Sequence, residues 1–233
     1  IFPINICRLP KIENIYISKN LIRTIPEEIG NITNLKIFSI SQNRLIELPK
    51  SIGKLLNLCE LNIYFNEIEY IPEEICRLSK MEILDFCNNH LTTIPSSIYD
   101  MNNLKEILLS NNRLTSIPSG ISKLNQLTIL HLDKNNFIEF SPEICQLSEL
   151  KILGFSENKL EKIPDEISQL KNLEELYLRQ NEIKDVPWKQ IPFEKLHLLN
   201  ILHNKCNISN DIYEEIKKKN KTMAGSFQYP ASD

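Results

Sequence analysis

The sequence predicts an α/β solenoid: a curved, horseshoe-shaped stack with a concave parallel β-sheet and 3₁₀ or short helical turns on its convex side. Three regularities support this prediction. One asparagine recurs every 23 residues, apolar residues two apart precede it, and apolar residues three apart follow it. A fixed period of this length indicates one structural unit per period, stacked on its neighbours.

The recurrent asparagines define the frame of the repeat. Each closes the pattern L-x-x-L-x-L-x-x-N or a close variant, and residues 173–181 show it in full. An asparagine side chain has two donor hydrogens and an acceptor oxygen, so a buried stack of them can satisfy the backbone groups of the turn after each strand. We assign this structural ladder, and no recognition role, to Asn20, Asn43, Asn66, Asn89, Asn112, Asn135, Asn158, Asn181 and Asn204.

The half of the repeat before the asparagine predicts a strand. Apolar residues alternate there, as in Leu176 and Leu178, which is typical of a strand with one buried face. Successive strands would pair in parallel, at about 4.8 Å per repeat. The outward positions then form columns across the concave face.

The half after the asparagine predicts the convex turns. Its apolar residues are three apart, as in Ile167 and Leu170, and residues at this spacing stack in a 3₁₀ helix. Two repeats depart from the pattern: residues 137–142 place the proline one position late, and residues 186–193 place the isoleucine late and add a second proline. Trp188 is expected to cover the convex side of the second of these, with partner binding as its alternative role.

The frame in residues 173–181 and the convex half in residues 48–58 resemble the leucine-rich repeat family, in particular the intracellular 23-residue type of Ras-suppressor and small-GTPase-signalling proteins. The resemblance implies a non-enzymatic scaffold in intracellular signalling, with a small GTPase or a phosphatase among its candidate protein partners. Two alternatives stay open. The chain could be the recognition domain of a larger signalling enzyme, such as a 2C-type protein phosphatase or a kinase, or it could be a secreted effector or receptor ectodomain.

The repeat pattern predicts two regions. Residues 1–206 form the solenoid, with about nine repeats and an N-terminus that begins in mid-repeat, which suggests truncation. Residues 207–233 are expected to form a capping helix and a tail. Ile212 and Ile216, four apart, would give that helix one apolar stripe to cover the end of the stack.

Composition limits the other classes of function. The net charge of −3 and the pI of about 5.9 argue against nucleic-acid binding, which needs a clustered basic surface. No apolar run is long enough to predict membrane insertion. The six cysteines form no cysteine-rich cap, which favours a cytoplasmic location. Nothing in the sequence predicts an oligomeric state.

The sequence shows no motif for catalysis or for a cofactor. It contains no Gly-rich phosphate loop, no nucleophile elbow and no CxxC pair. Cys87 and His90 would supply two metal ligands at most, which is too few for a zinc site. We therefore predict that the chain is not an enzyme and has no metal, no cofactor and no catalytic residue.

Two places in the outward columns differ from their neighbours and are candidates for partner binding. The first is the pair Tyr64 and Phe65, where adjacent repeats carry serine with glutamine or asparagine. Exposed aromatic side chains are enriched at interface hot spots. The alternative is that the two rings pack along the edge of their own strand.

The second place is a notch predicted at Gly154, because a glycine inside a strand often marks the close approach of another backbone. A peptide or loop of the partner would dock there; the alternative is a neutral substitution at a solvated position. The residues expected around Gly154 are an aromatic, an imidazole and charges of both signs: Tyr177, His131, Asp133, Glu157 and Arg179.

Overall fold

The computed structural model describes residues 1–206 together with residues 209, 211, 212, 214 and 218. In this part of the chain nine short strands form one parallel sheet in sequential order. The strands β1 to β9 are Asn14–Tyr16, Ile37–Ser39, Glu60–Asn62, Ile83–Asp85, Glu106–Leu108, Ile129–His131, Ile152–Gly154, Glu175–Tyr177 and Leu198–Asn200. The 3₁₀ segments η1 to η8 are Ile4–Arg8, Glu27–Asn31, Lys50–Lys54, Glu73–Arg77, Ser96–Asp100, Ile121–Lys123, Pro142–Gln146 and Asp165–Gln169.

The register of the sheet equals the period of the sequence. Ile107 of β5 pairs with Leu130 of β6, and every other strand pair shows the same offset of 23 residues. The middle residue of each strand is buried, and the first residue is half-buried in all strands except β1. The predicted solenoid with a parallel sheet and 3₁₀ turns is therefore confirmed, and the columns of outward residues follow from the register.

The late proline of residues 137–142 does not disturb the geometry of its repeat. The segment η7 begins at Pro142, seven residues after Asn135, just as η2 begins at Glu27, seven residues after Asn20. Proline is favoured at the first position of a helical turn, where its missing N–H would have had no partner. Ser141 fills the position where other repeats have the proline.

Two other repeats are irregular on the convex side. Gly120 has a φ of +103°, and η6 is shortened to Ile121–Lys123. Between β8 and β9 the described chain has turns instead of a 3₁₀ segment. Ile191 is nevertheless 4% exposed and Trp188 is half-buried against the core. The late isoleucine is therefore still used to fill the interior.

The asparagine ladder links each repeat to the one before it. The Oδ1 atom of Asn112 accepts a hydrogen bond from the Leu91 N–H at 2.9 Å, and its Nδ2 atom donates to the carbonyls of Phe86 and Leu109 at 2.9 and 3.0 Å. The seven asparagines from Asn43 to Asn181 are buried and repeat this set of contacts. Buried backbone groups are thus satisfied at each turn.

A second set of asparagines also bridges neighbouring repeats. These residues lie before the strands, whereas the ladder asparagines lie after them. In each of them Nδ2 donates to a backbone carbonyl 24 residues earlier, at 2.7 to 2.9 Å. This set consists of Asn34, Asn57, Asn103 and Asn172. It is incomplete, because Lys80 and Lys195 take the same position in their repeats and donate to Asn57 and Asn172 instead.

The predicted capping helix and tail lie largely outside the described residues. Asp211, Ile212, Glu214 and Lys218 have helical backbone, and the Ile212 N–H donates to Ser209 Oγ at 3.4 Å. Ile212 packs against the core. No helix among the described residues has the length and apolar character needed to cross a bilayer.

Candidate partner-binding face

The concave face presents the first and third residues of each strand and the residue two positions further on. Some of these positions hold small side chains, such as Ser39, Ser41 and Ser110, and others hold half-buried isoleucine or glutamate. Larger side chains project from the face at the two places that the sequence singles out and at Tyr16 of β1, which is 65% exposed.

Phe65 and Glu157 do not lie in strands, which corrects their placement on the concave sheet itself. They belong to the turn after the strand, where nine residues without exception have left-handed backbone, with φ of +55° for Phe65 and +56° for Glu157. This turn directs the following asparagine into the core. Left-handed backbone costs most residues with a side chain about 1–2 kcal/mol, and the hydrogen bonds of the buried ladder asparagines offset this cost in the interior repeats.

The structure corrects the notch predicted at Gly154. A Cβ atom on Gly154 would lie 2.2 Å from Asp133 Oδ2 and 2.7 Å from His131 Nδ1. The space over the glycine is therefore occupied by side chains of the chain itself, and Gly154 is buried. The glycine makes room for a carboxylate and an imidazole and does not leave a cavity for a partner's backbone.

Asp133 is the centre of a hydrogen-bond network at this position. Its Oδ2 atom is 3.0 Å from His131 Nδ1 and accepts a hydrogen bond from Ser110 Oγ at 3.2 Å. Its Oδ1 atom accepts one from the Ser156 N–H at 2.8 Å. These contacts join β5, β6 and β7 on their outward side.

The network keeps Asp133 ionised. Burial by itself raises the pKa of this carboxyl, but the hydrogen bonds from His131, from the Ser156 N–H and from Ser110 outweigh it and hold the pKa below its ordinary value. The imidazole of His131 is thereby fixed through Nδ1, and its side chain stays about one-third exposed.

Tyr177 lies on the far side of the glycine. Its ring centroid is 6.4 Å from that of His131, a contact across two repeats that the absence of a side chain at Gly154 allows. The Tyr177 hydroxyl donates to Glu175 Oε2 at 2.6 Å, and this hydrogen bond, with burial, raises the pKa of Tyr177 to about 12. His197 Nε2 lies 3.4 Å from the other oxygen of Glu175.

The charged residues predicted beside the glycine differ in accessibility. Glu157 is on the rim and pairs with Lys134 at 3.4 Å. Arg179 is exposed and has no ion-pair partner within the described chain. His131, Tyr177 and Arg179 form the outer surface of this region.

Tyr64 and Phe65 form a separate place on the same side. Their ring centroids are 6.0 Å apart, and Phe65 is 56% exposed. Three repeats, or roughly 14 Å, separate Tyr64 from Asp133 along the stack. A single extended partner segment can therefore reach both places.

Sequence reasoning missed several residues of this face. The Asp133 network also includes Ser110 and Ser156. The hydroxyl of Tyr177 is held by Glu175, which also pairs with His197. Asp85, with a pKa that burial raises, accepts a hydrogen bond from the Cys87 N–H at 2.9 Å. The signal was the repeat spacing. Ser110 and Ser156 share a repeat position with Asp133, and Asp85 shares one with His131.

The arrangement is suited to binding and not to nucleophilic catalysis. Ser110 donates to Asp133 and not to His131, so the serine–histidine pair of a nucleophilic site is not assembled at these residues. Within the described ranges no group of three or more His, Cys, Asp or Glu side chains could hold a metal ion. The six cysteines are free thiols.

Comparison with known proteins identifies the repeat. The family described as leucine rich repeat matches residues 57–114, 79–137 and 125–183. A comparison with curated proteins gives no match.

Three solved structures that share the fold come from two bacteria and a plant. A leucine-rich repeat protein of Leptospira interrogans is 29% identical, with a TM-score of 0.79 over 91% of this chain and 60% of its own. The plant peptide hormone receptor RGFR1, in complex with RGF2, is 31% identical, with a TM-score of 0.80 over 91% of this chain and 35% of its own. An internalin of Listeria monocytogenes has a TM-score of 0.82 at 20% identity, over 95% of this chain and 62% of its own, and shows the fold alone. This chain thus spans between about one-third and two-thirds of the length of these proteins.

Proposed function

This chain belongs to the leucine-rich repeat family, and from that premise we propose that it binds a protein partner on its concave face. The fold itself is a protein-interaction scaffold. One observation above all supports the choice of face: the variable residues His131, Tyr177 and Arg179 project from a sheet whose outward side no element of the described chain covers.

The mechanism is recognition by a preformed surface. Hydrogen bonds hold His131 and Tyr177 in place before a partner arrives, so little conformational entropy is lost on the scaffold side. Arg179 supplies a cation that pairs with nothing in the described chain, and an acidic or carboxylate group of the partner would complement it. Tyr64 and Phe65 provide apolar contact further along the stack.

An intracellular signalling role, a cytoplasmic location and a small GTPase or phosphatase as partner are the finer parts of this proposal. They rest on the resemblance of the 23-residue repeat to the Ras-suppressor type. Free thiols without a cysteine-rich cap support the location.

A second candidate is that the chain is the recognition part of a longer protein, such as a signalling enzyme or a receptor ectodomain. The similarity to the plant receptor supports the ectodomain form, since this chain corresponds to 35% of that receptor chain, which was solved in complex with RGF2. The full reading frame distinguishes these forms: a catalytic domain favours the enzyme, and a signal peptide with a membrane anchor favours the receptor.

The test uses a partner recovered by affinity purification and its dissociation constant for variants of this chain. We expect Tyr64→Ala/Phe65→Ala and Tyr177→Ala/Arg179→Ala each to weaken binding by about 2 kcal/mol or more, as truncation of hot-spot residues does. Tyr70→Ala is the matched control, because Tyr70 is an exposed aromatic outside the concave face. Unchanged affinity in both double variants would contradict the proposal and direct attention to the convex side and Trp188.

A further inference from the structure

A groove runs along the flank of the solenoid, where the chain leaves each asparagine and passes to the convex side. Two cavities of about 500 and 430 Å³ adjoin there, and Glu139 lines both. Together they cross four consecutive repeats, from residues 115–117 to residues 185–187. Three repeat steps correspond to at least roughly 14 Å, the reach of about four residues of extended chain. We call this region the flank groove.

The floor of the flank groove is apolar. Phe140 and Ile163 lie beneath it, 2% and 4% exposed, and the half-buried Ile117 and Val186 supply its accessible apolar surface. Ile138 is 66% exposed at its edge, at a position where the two adjacent repeats have Thr115 and Glu161. An isoleucine so exposed beside an apolar floor offers contact area to another molecule.

The rim of the flank groove is acidic. Four carboxylates line it, against one lysine: Glu139, Asp165, Glu166 and Asp185, against Lys162. None of the five side chains has an ion-pair partner in the described part of the chain. The groove therefore carries a formal charge of −3 (four negative, one positive), which equals the net charge of the entire chain.

We propose that the flank groove binds an extended, basic segment of a partner protein, with apolar side chains on the exposed Ile138 and the half-buried Ile117 and lysine or arginine side chains at the rim. Apolar burial supplies affinity, and the unpaired carboxylates select for positive charge. Polyanionic partners such as nucleic acid are repelled by the same rim. This surface is separate from the concave face, so one chain could hold two partners or two parts of one partner.

The test begins with a random dodecapeptide library displayed on phage and panned on the full chain. Selected peptides are then synthesised with a fluorescent label, and their affinity is measured by fluorescence anisotropy at physiological ionic strength. We expect selected peptides to combine several lysine or arginine residues with aliphatic ones. Selection of peptides without basic residues would overturn the proposal.

Variants then locate the binding site. Asp165→Lys/Asp185→Lys should weaken binding of the selected peptide about tenfold or more, because two attractive contacts become repulsive. Ile138→Ser should weaken it by a smaller factor. The matched control is Glu67→Lys/Glu69→Lys, which reverses two exposed carboxylates near the corresponding flank of an earlier repeat; it should bind like the wild type. An equal loss in this control overturns the proposal, since it would show a general charge effect.

The concave variants separate this inference from the proposed function. Tyr64→Ala/Phe65→Ala should leave binding of the selected peptide unchanged. If that variant loses the peptide and the groove variants retain it, the flank groove proposal is wrong while the concave face still binds a ligand.

Discussion

Each buried ladder asparagine contributes hydrogen bonds between its own repeat and the preceding one. A ladder asparagine in the interior bonds to the repeat before it, whereas Asn20 is exposed and its side chain bonds to Ile17 and Ser18 of its own repeat. The same residue type at the same repeat position thus has two environments. The comparison isolates the cross-repeat contribution of one side chain.

Replacing Asn112 by alanine should lower the free energy of unfolding by about 2–4 kcal/mol, because the Leu91 N–H loses its buried acceptor and the Phe86 carbonyl keeps only the amide of Asn89 as a side-chain donor. Asn20→Ala should change it by less than about 0.5 kcal/mol. Urea unfolding followed by circular dichroism measures both values. Equal losses in the two variants would show that contacts inside the repeat, and not the ladder, account for the effect.

At the scale of elements, the convex segments pack so closely that some positions need glycine for space alone. A Cβ atom on Gly53 of η3 would lie 2.3 Å from the carbonyl oxygen of Glu74 in η4. No side-chain rotation relieves a contact with backbone. The close approach of successive 3₁₀ segments is therefore fixed by residue size at this position.

Gly53→Ala should destabilise the chain by about 1–3 kcal/mol, the usual cost of overpacking. Ser122→Ala is the matched control, since Ser122 holds the same repeat position in η6, where a Cβ atom is already present. Thermal unfolding midpoints of the two variants test this expectation. A midpoint for Gly53→Ala at the wild-type value would mean that η3 and η4 can separate without cost.

Across the whole molecule, the parallel sheet and the asparagine ladder make one continuous stack. Each described repeat contacts its immediate neighbours, and the core runs without a break from Phe2 to Ile201. Such a scaffold presents residues that are distant in sequence, like Tyr64 and Tyr177, on one fixed surface. Binding should therefore leave the stack itself unchanged.

Hydrogen exchange of the chain with and without its concave partner tests this rigidity. Protection should increase at residues 64–65, 131–133 and 177–179, while η2 to η8 keep their free-state rates. Altered exchange throughout the convex segments would show that binding rearranges the solenoid, contrary to recognition by a preformed surface.

The repeat, its register and the inward residues follow from spacing along the chain. A 23-residue period places equivalent residues of successive repeats side by side, and apolar residues two or three apart mark the side that faces inward. The period also gave the concave columns, and thus placed His131, Gly154 and Tyr177 in one row. These features depend on local spacing, which a sequence states directly.

What fills the space between side chains follows from the folded arrangement and not from the spacing. The carboxylate of Asp133 lies over Gly154, so the predicted notch is closed, and a proline one position late is absorbed at the start of η7. The left-handed turn at Phe65 and the flank groove likewise arise from how adjacent repeats meet. Distances between side chains of different repeats depend on rotamers and on curvature, and spacing along the chain encodes neither.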